Sequence, residues 1–351
     1  MTSFYPGPSQ PYPQVRGYLA EAYDSGILGQ NHRSPAFVDL ACQTVGLMKD
    51  KLAIPANYHV YFVSSATEVW EILAQSLAHR LGSLHLYNGE FGQKWAEHTQ
   101  RLTGQACSVV FGLEEPLPVQ AGGPPALLCL THNETSNATW LAPPVLVAQR
   151  AAWPAALIAA DATSSLAGVE LPWAALDLVF ASVQKCFGLP AGLAVLVASP
   201  RAVEAALAVG ERAHYNSLAH LHARALEGQT THTPNVLGIF LLNRVLAQVP
   251  PIAHVAAQVH ARARAWEAFL ADQGFRLLVE PASLRSPTVL AVQGRPEWVA
   301  RLKAAALAEG LLLGNGYGRW RADTFRIANF PALDQAQIAE LQDFLARFGT
   351  E

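Results

Sequence analysis

Residues 177–199, DLVFASVQKCFGLPAGLAVLVAS, decide how this chain is read. Two apolar runs of strand length, 178–181 and 193–198, flank a polar hinge headed by Gln184 and Lys185. A lysine at the end of a buried strand is costly to desolvate unless its amine has a task. A desolvated lysine also loses its proton more readily and becomes a nucleophile or a Schiff-base former. Standing alone, such a lysine is more often a solvated residue just past a strand end.

Upstream, ALIAADAT at 156–163 is another apolar run, and it leads into Asp161. An aspartate followed by Thr163, Ser164 and Ser165 is commonly a turn or helix cap. Beside a strand-end lysine it acquires a second meaning, the chemistry of pyridoxal 5′-phosphate. There the lysine holds the cofactor as a Schiff base and an acid keeps the pyridine nitrogen protonated.

The rest of the chain sets the frame for that pair. Its 351 residues suffice for about two domains and a sizeable core. Hydrophobic residues make up 51% and charged ones 15%, which excludes a disordered chain. A net charge of −3 offers no electrostatic basis for nucleic acid or an anionic membrane, so neither is expected as a partner. Cys42, Cys107, Cys129 and Cys186 are scattered and form no CxxC. No metal site or disulfide framework follows, and buried free thiols in a reducing cytoplasm are expected. The start, MTSFYPGPSQPYPQ, lacks a basic segment followed by an apolar one, and the apolar stretches are broken short of a bilayer span. A soluble cytoplasmic protein is expected.

Seven short apolar runs recur, at 59–63, 84–87, 106–111, 126–131, 156–160, 178–181 and 193–198. Helical patterns such as 68–81 and 94–102 alternate with them. This predicts an α/β fold with a mostly parallel seven-stranded sheet. Ligands of such sheets bind beyond the carboxyl ends of the strands, where Asp161 and Lys185 both fall. After Thr233-Pro234-Asn235 the character changes. Long helices are expected over 236–249 and 253–273, then strand-like runs at 275–279 and 288–292. A helix at 297–310, runs at 311–313 and 324–328 and a helix from Asp334 complete the chain. The reading is a large domain over 15–245 and a smaller α+β domain over 246–351. The proline-rich residues 1–14, too few to fold alone, are expected to lie against the smaller one.

Several segments now match one family in order: FYPGP at 4–8, NHRSPAF at 31–37, SSATEVW at 64–70, NETSN at 133–137, DATSS at 161–165, VQKCFGLPAGL at 183–193, THTP at 231–234 and FRIANFPA at 325–332. The chain resembles the phosphoserine aminotransferase family, in the fold-type I, class V group of pyridoxal-phosphate enzymes. The resemblance implies that Lys185, preceded by Gln184, carries the cofactor and that Asp161 holds its ring nitrogen. It implies that the turn at Ser65, Ala66 and Thr67 grips the cofactor phosphate. Small residues opening a helix do let backbone N–H groups approach an anion, although an ordinary N-cap looks the same. Phe91 falls where the family stacks an aromatic on the ring, and Thr135 matches a threonine near the ring hydroxyl. Thr163 or Ser164 adds a phosphate donor or caps a helix.

His232 and Thr233 match a pair that reaches the cofactor phosphate from a second subunit, with histidine where the family usually has asparagine. A homodimer with a shared active site follows from the match. Arg326 matches the arginine that clamps the substrate α-carboxylate, a task its planar fork suits. His32 and Arg33 match a pair that holds the substrate's side-chain phosphate. Arg319 and Arg321 lie near a second His-Arg pair of the family without matching its offset. GNGYG at 314–318 imitates part of a dinucleotide loop, but it lacks a following helix and an acidic partner and reads as a turn.

The implied reaction is amino transfer between L-glutamate and 3-phosphohydroxypyruvate in serine biosynthesis, on amino-acid and keto-acid substrates. An alanine– or serine–glyoxylate aminotransferase of class V suits TPN at 233–235 equally. A scaffold that binds cofactor or partner without turnover is a third reading, opposed by the presence of Lys185, Asp161 and Arg326. Cysteine desulfurases share the scaffold, but no cysteine here falls on an evident mobile loop.

Overall fold

The computed structural model describes residues 1–119 and 124–350. Its strands are β1 (Thr2–Phe4), β2 (His59–Val63), β3 (Ser83–Tyr87), β4 (Ala106–Val110), β5 (Leu127–Thr131), β6 (Asn133–Glu134), β7 (Thr139–Trp140), β8 (Leu157–Asp161), β9 (Leu178–Ser182), β10 (Ala194–Ala198), β11 (Arg276–Leu277), β12 (Val289–Gln293), β13 (Leu311–Asn315) and β14 (Thr324–Ala328). Seven of them form one sheet in the order β2-β10-β9-β8-β5-β3-β4. Strands β9, β8, β5, β3 and β4 pair in parallel, while β10 runs antiparallel to both β9 and β2. The exception has a local cause. The segment after β9 returns directly as β10, placing Ala194 opposite Ser182, and no crossover helix intervenes to permit parallel pairing.

Alternate residues of each strand feed two cores. Val179 and Ala181 pack toward Phe37, Ile239 and Val255, on helices Pro35–Lys51, Val236–Gln248 and Ile252–Asp272. Leu178 and Phe180 pack on the other face toward Val69, Trp95 and Leu218, on helices Ala66–Leu73, Glu90–Thr103 and Leu218–Ala225. Both faces are covered, so the central strands are continuously apolar rather than alternating. Each fully buried large side chain contributes roughly 1.5–3 kcal/mol.

A second sheet, β1-β13-β14-β12-β11, joins the N-terminal strand to the C-terminal part of the chain. Thr2 pairs with Leu311 and Phe4 with Leu313. Three expectations change here and in the first sheet. The strand expected at 275–279 is only the two-residue β11. The helix expected at 68–81 contains a π-helical segment, Ala74–Ala78. Within it, Ser76 Oγ accepts from the Leu218 amide and Gln75 binds Asn216, ties that anchor the following helix. Cys42 and Cys107 are exposed rather than buried, Cys107 because β4 is the sheet edge. Among the described residues no single helix is long and apolar enough to cross a membrane.

Asp177, buried just before β9, ties three strands together. It accepts from the Ile158 amide at 3.0 Å, from Ser199 Oγ at 2.8 Å and from Arg150 Nη2. Removing the carboxylate leaves the buried Ile158 amide and Ser199 hydroxyl without this acceptor and takes from Arg150 its only carboxylate partner among the described residues, though its Nη1 still reaches Ala156 O at 2.7 Å. Asp177→Ala is expected to lower stability by about 2–4 kcal/mol, seen as an earlier midpoint in chemical denaturation.

Candidate active site

The carboxyl ends of β5, β8 and β9 open onto a cavity of about 240 Å³. Lys185 lies in the β9–β10 connection and is only 7% exposed. Its Nζ donates to Thr135 Oγ1 at 3.1 Å and stands 5.3 Å from the Phe91 ring centroid. Burial lowers the Lys185 pKa to about 8, against an upward pull from Asp161 and a further downward push from Arg326. Gly7 brings the N-terminal segment against this side chain. A Cβ there would stand 2.7 Å from Lys185 Cε, and its φ of +145° suits glycine.

Asp161, the last residue of β8, accepts from Trp70 Nε1 at 3.2 Å and from the Thr163 amide at 3.0 Å. Burial lifts its carboxyl above the ordinary value, while these donors and Lys185 oppose the lift. Arg326, the middle residue of β14, donates to Asn315 O and to Thr135 O, each at 2.6 Å. Burial lowers its pKa to about 10, so it stays charged at neutral pH. Lys185, Asp161, Arg326, Phe91, Thr135, Thr163, Gln184, Ala66 and Thr67 all line this one cavity.

The remaining candidates stand elsewhere. Ser65 caps its helix by accepting from the Glu68 amide and stands just outside the cavity lining. Ser164 is fully buried beneath the floor, where its hydroxyl bonds Asn133 and Thr135. Arg319 lies over the Trp320 ring at 4.3 Å, and Arg321 is exposed; neither lines the cavity. His32 and Arg33 are also apart from it. His32 Nδ1 meets Thr233 Oγ1 at 3.2 Å, and Arg33 and the Coulombic influence of His232 help depress the His32 pKa after burial does. The four residues His32, Arg33, His232 and Thr233 therefore gather on one surface patch of their own.

Sequence reasoning passed over four residues of the site. Trp70 belongs to the quoted SSATEVW and orients Asp161. Glu134, in NETSN, accepts from the amides of Phe91 and Gly92 and so caps helix Glu90–Thr103, which has no side-chain N-cap of its own. Gly7 and Tyr317 complete the wall. A cavity of similar size, about 250 Å³, lies between helix Pro35–Lys51, β2 and helix Leu218–Ala225. It has no carboxylate, so chemistry and not volume distinguishes the two.

The sequence pattern named Aminotransferase class-V matches residues 119–298. The structure superposes on a phosphoserine aminotransferase from Cytophaga hutchinsonii with a TM-score of 0.93 and 32% identity, covering 99% of this chain and 98% of that one. The chain belongs to the class-V aminotransferase family. Among curated sequences, the aminotransferase is 27% identical to the phosphoserine aminotransferase of Rhodococcus opacus, over 95% of this chain and 91% of that one. It is 28% identical to a putative phosphoserine aminotransferase of Mycobacterium sp. strain KMS, over 96% and 93%. An alanine–glyoxylate aminotransferase from Nostoc sp., 21% identical with a TM-score of 0.81 over 98% of this chain and 94% of that one, shares the fold.

The cofactor of this aminotransferase is pyridoxal 5′-phosphate. The cavity fits it. Three buried polar atoms of residues that line the cavity, Thr131 Oγ1, Asn133 Oδ1 and Gln184 Oε1, have no hydrogen-bond partner in the protein. Groups so buried need one, and a polar, phosphorylated ring can supply it. The Lys185 amine of the cofactor-free enzyme is expected to react with an amine-directed label with a midpoint near pH 8. In Asp161→Asn the midpoint should move to lower pH, because the lost carboxylate favoured the ammonium form. Mass-spectrometric quantification of labelled Lys185 across pH checks both; an unmoved midpoint in the variant contradicts the coupling.

Proposed function

We propose that this aminotransferase exchanges the amino group between L-glutamate and 3-phosphohydroxypyruvate, giving 2-oxoglutarate and O-phospho-L-serine. The observation that carries the reading is the meeting of Lys185, Asp161 and Arg326 in one buried cavity, in a chain alike over nearly its full length to relatives bearing that name. When bound, pyridoxal phosphate supplies an electron sink for the substrate α-carbon. Lys185 would hold the cofactor, and its amine, once released, would carry the proton at the substrate α-carbon, a role suited to a pKa that burial lowers to about 8. Asp161 would keep a proton on the cofactor's ring nitrogen. Phe91 would support the cofactor ring, and the helix start at Thr67 would favour its phosphate, the Ala66 amide already donating to Ser182 Oγ at 2.9 Å. Arg326 holds the α-carboxylate with the guanidinium donors that Thr135 and Asn315 leave free.

The distal phosphate needs further cations, and within one chain His32 and Arg33 stand away from the cavity. We assign them, with His232 and Thr233, to the site of a second copy in a homodimer. What supports this is their gathering on one surface patch, held by the His32–Thr233 contact. A reducing cytoplasm suits the two exposed thiols, Cys42 and Cys107.

Arg33→Ala is expected to raise the KM for phosphoserine about a hundredfold and to affect alanine, which lacks a distal anion, far less. Steady-state kinetics with both donors checks this; equal losses, or a wild type that prefers alanine with glyoxylate, defeats the phosphoserine assignment. A separate measurement addresses the shared site. Inactive Lys185→Ala and an inactive variant altered at His232 and Thr233 should regain activity when refolded together, since one of the two composite sites is then intact. A fully active monomer in sedimentation would exclude this arrangement.

A further inference from the structure

GNGYG at 314–318 is not a turn throughout: Gly314 and Asn315 end β13 and Gly318 opens a 3₁₀ helix, Gly318–Trp320, and the turn between them forms one wall of the active-site cavity through Tyr317. From this turn the Tyr317 ring stacks on Phe91 of helix Glu90–Thr103, with centroids 5.1 Å apart and planes 27° from parallel. Its hydroxyl lies 2.6 Å from Lys94 Nζ. The same ring has Lys94 Nζ 4.6 Å and Arg326 Cζ 5.5 Å from its centroid. Two cations therefore lie near one aromatic ring, Arg326 buried in the cavity lining and Lys94 exposed outside it.

The turn is held closely in place. A Cβ on Gly316 would stand 2.1 Å from the Trp320 carbonyl oxygen. Gly318 has a φ of +52°, and Glu90 occupies the space its Cβ would take. Lys94 has no salt-bridge partner among the described residues; its hydrogen bond is to the Tyr317 hydroxyl. An ammonium carries three donors, so two remain for a ligand. Of the neighbouring arginines, Arg319 lies on Trp320. Lys94, like Arg319 and Arg321, stands outside the cavity lining, but it is joined to that lining through Tyr317.

We propose that Lys94, oriented by Tyr317, is a specificity-determining residue that attracts the distal anion of the substrate while Arg326 holds the α-carboxylate. This rests on the transamination proposed above, in which glutamate and phosphoserine both carry a second acid. The charge acts from the rim of the site, where solvent screens it, so its effect is modest and falls with ionic strength. The phenol hydrogen bond limits where the flexible lysine chain can place that charge, and the stack on Phe91 ties the phenol to helix Glu90–Thr103.

The test is steady-state kinetics of the holoenzyme with glutamate, phosphoserine and alanine as donors, for wild type, Lys94→Met, Lys94→Arg and Tyr317→Phe. Thermal melting confirms that each variant is folded. In Lys94→Met the kcat/KM ratios of glutamate to alanine and of phosphoserine to alanine should each fall about five- to tenfold, through KM and less so at high salt. Lys94→Arg should restore most of the ratio, and Tyr317→Phe, which keeps the charge, should lower it less than Lys94→Met does. The proposal is overturned if Lys94→Met leaves the ratios unchanged, if all three donors suffer alike, or if Lys94→Arg fails as badly as Lys94→Met. A wild type inactive with phosphoserine would refute the proposed reaction, yet the glutamate-to-alanine ratio would still decide the role of Lys94.

Discussion

The arrangement turns on burying the Lys185 ammonium beside the Arg326 guanidinium. Each cation is disfavoured by desolvation, and Arg326 lowers the Lys185 pKa further. Asp161 answers for Lys185, and the Thr135 hydroxyl and carbonyl answer for both cations, one accepting from Lys185 and the other from Arg326. The balance leaves the lysine amine able to lose its proton near neutral pH and the arginine charged. That split suits one group that must shuttle a proton and another that must hold a carboxylate.

The fold supplies this balance from separate parts of the chain. Asp161 ends β8, Lys185 follows β9, Thr135 follows β6 just beyond the end of β5, and Arg326 lies on β14 of the second sheet. The parallel ladder brings the first three to one end of the first sheet, and the hairpin return into β10 keeps the Lys185 connection short. The second sheet is tied in by its own N-terminal strand. With β1 paired to β13, Gly7 lies against the lysine side chain and Tyr5 lies near Arg326. The N-terminal segment is thus part of the site wall, although it is remote in sequence from every other part.

Most of the strands of the first sheet were legible because burial on both faces writes them as short apolar runs between polar turns. The ends moved by a single residue, as at β8, whose last residue is Asp161 itself. Periodicity carries no such mark for the π-helical segment at 74–78, whose anchors Asn216 and Leu218 lie far along the chain. The site was legible where a motif names a residue type unusual for its setting, as with Lys185, Asp161 and Arg326. Trp70, Glu134 and Tyr317 were not, since a tryptophan, a glutamate and a turn tyrosine have many ordinary uses.

By itself the sequence determined the α/β class, the strand-end lysine and aspartate, and the apolar setting that makes them costly to bury. It could do so because secondary structure and desolvation act on neighbouring residues, which stand together in the chain. Tertiary structure alone decided that Arg326 meets Thr135, that Tyr317 bridges Phe91 and Lys94, and that His32 joins Thr233 on a separate patch. Those contacts join positions far apart in the sequence, and a contact's strength depends on distance and burial, which exist only once the layers have packed.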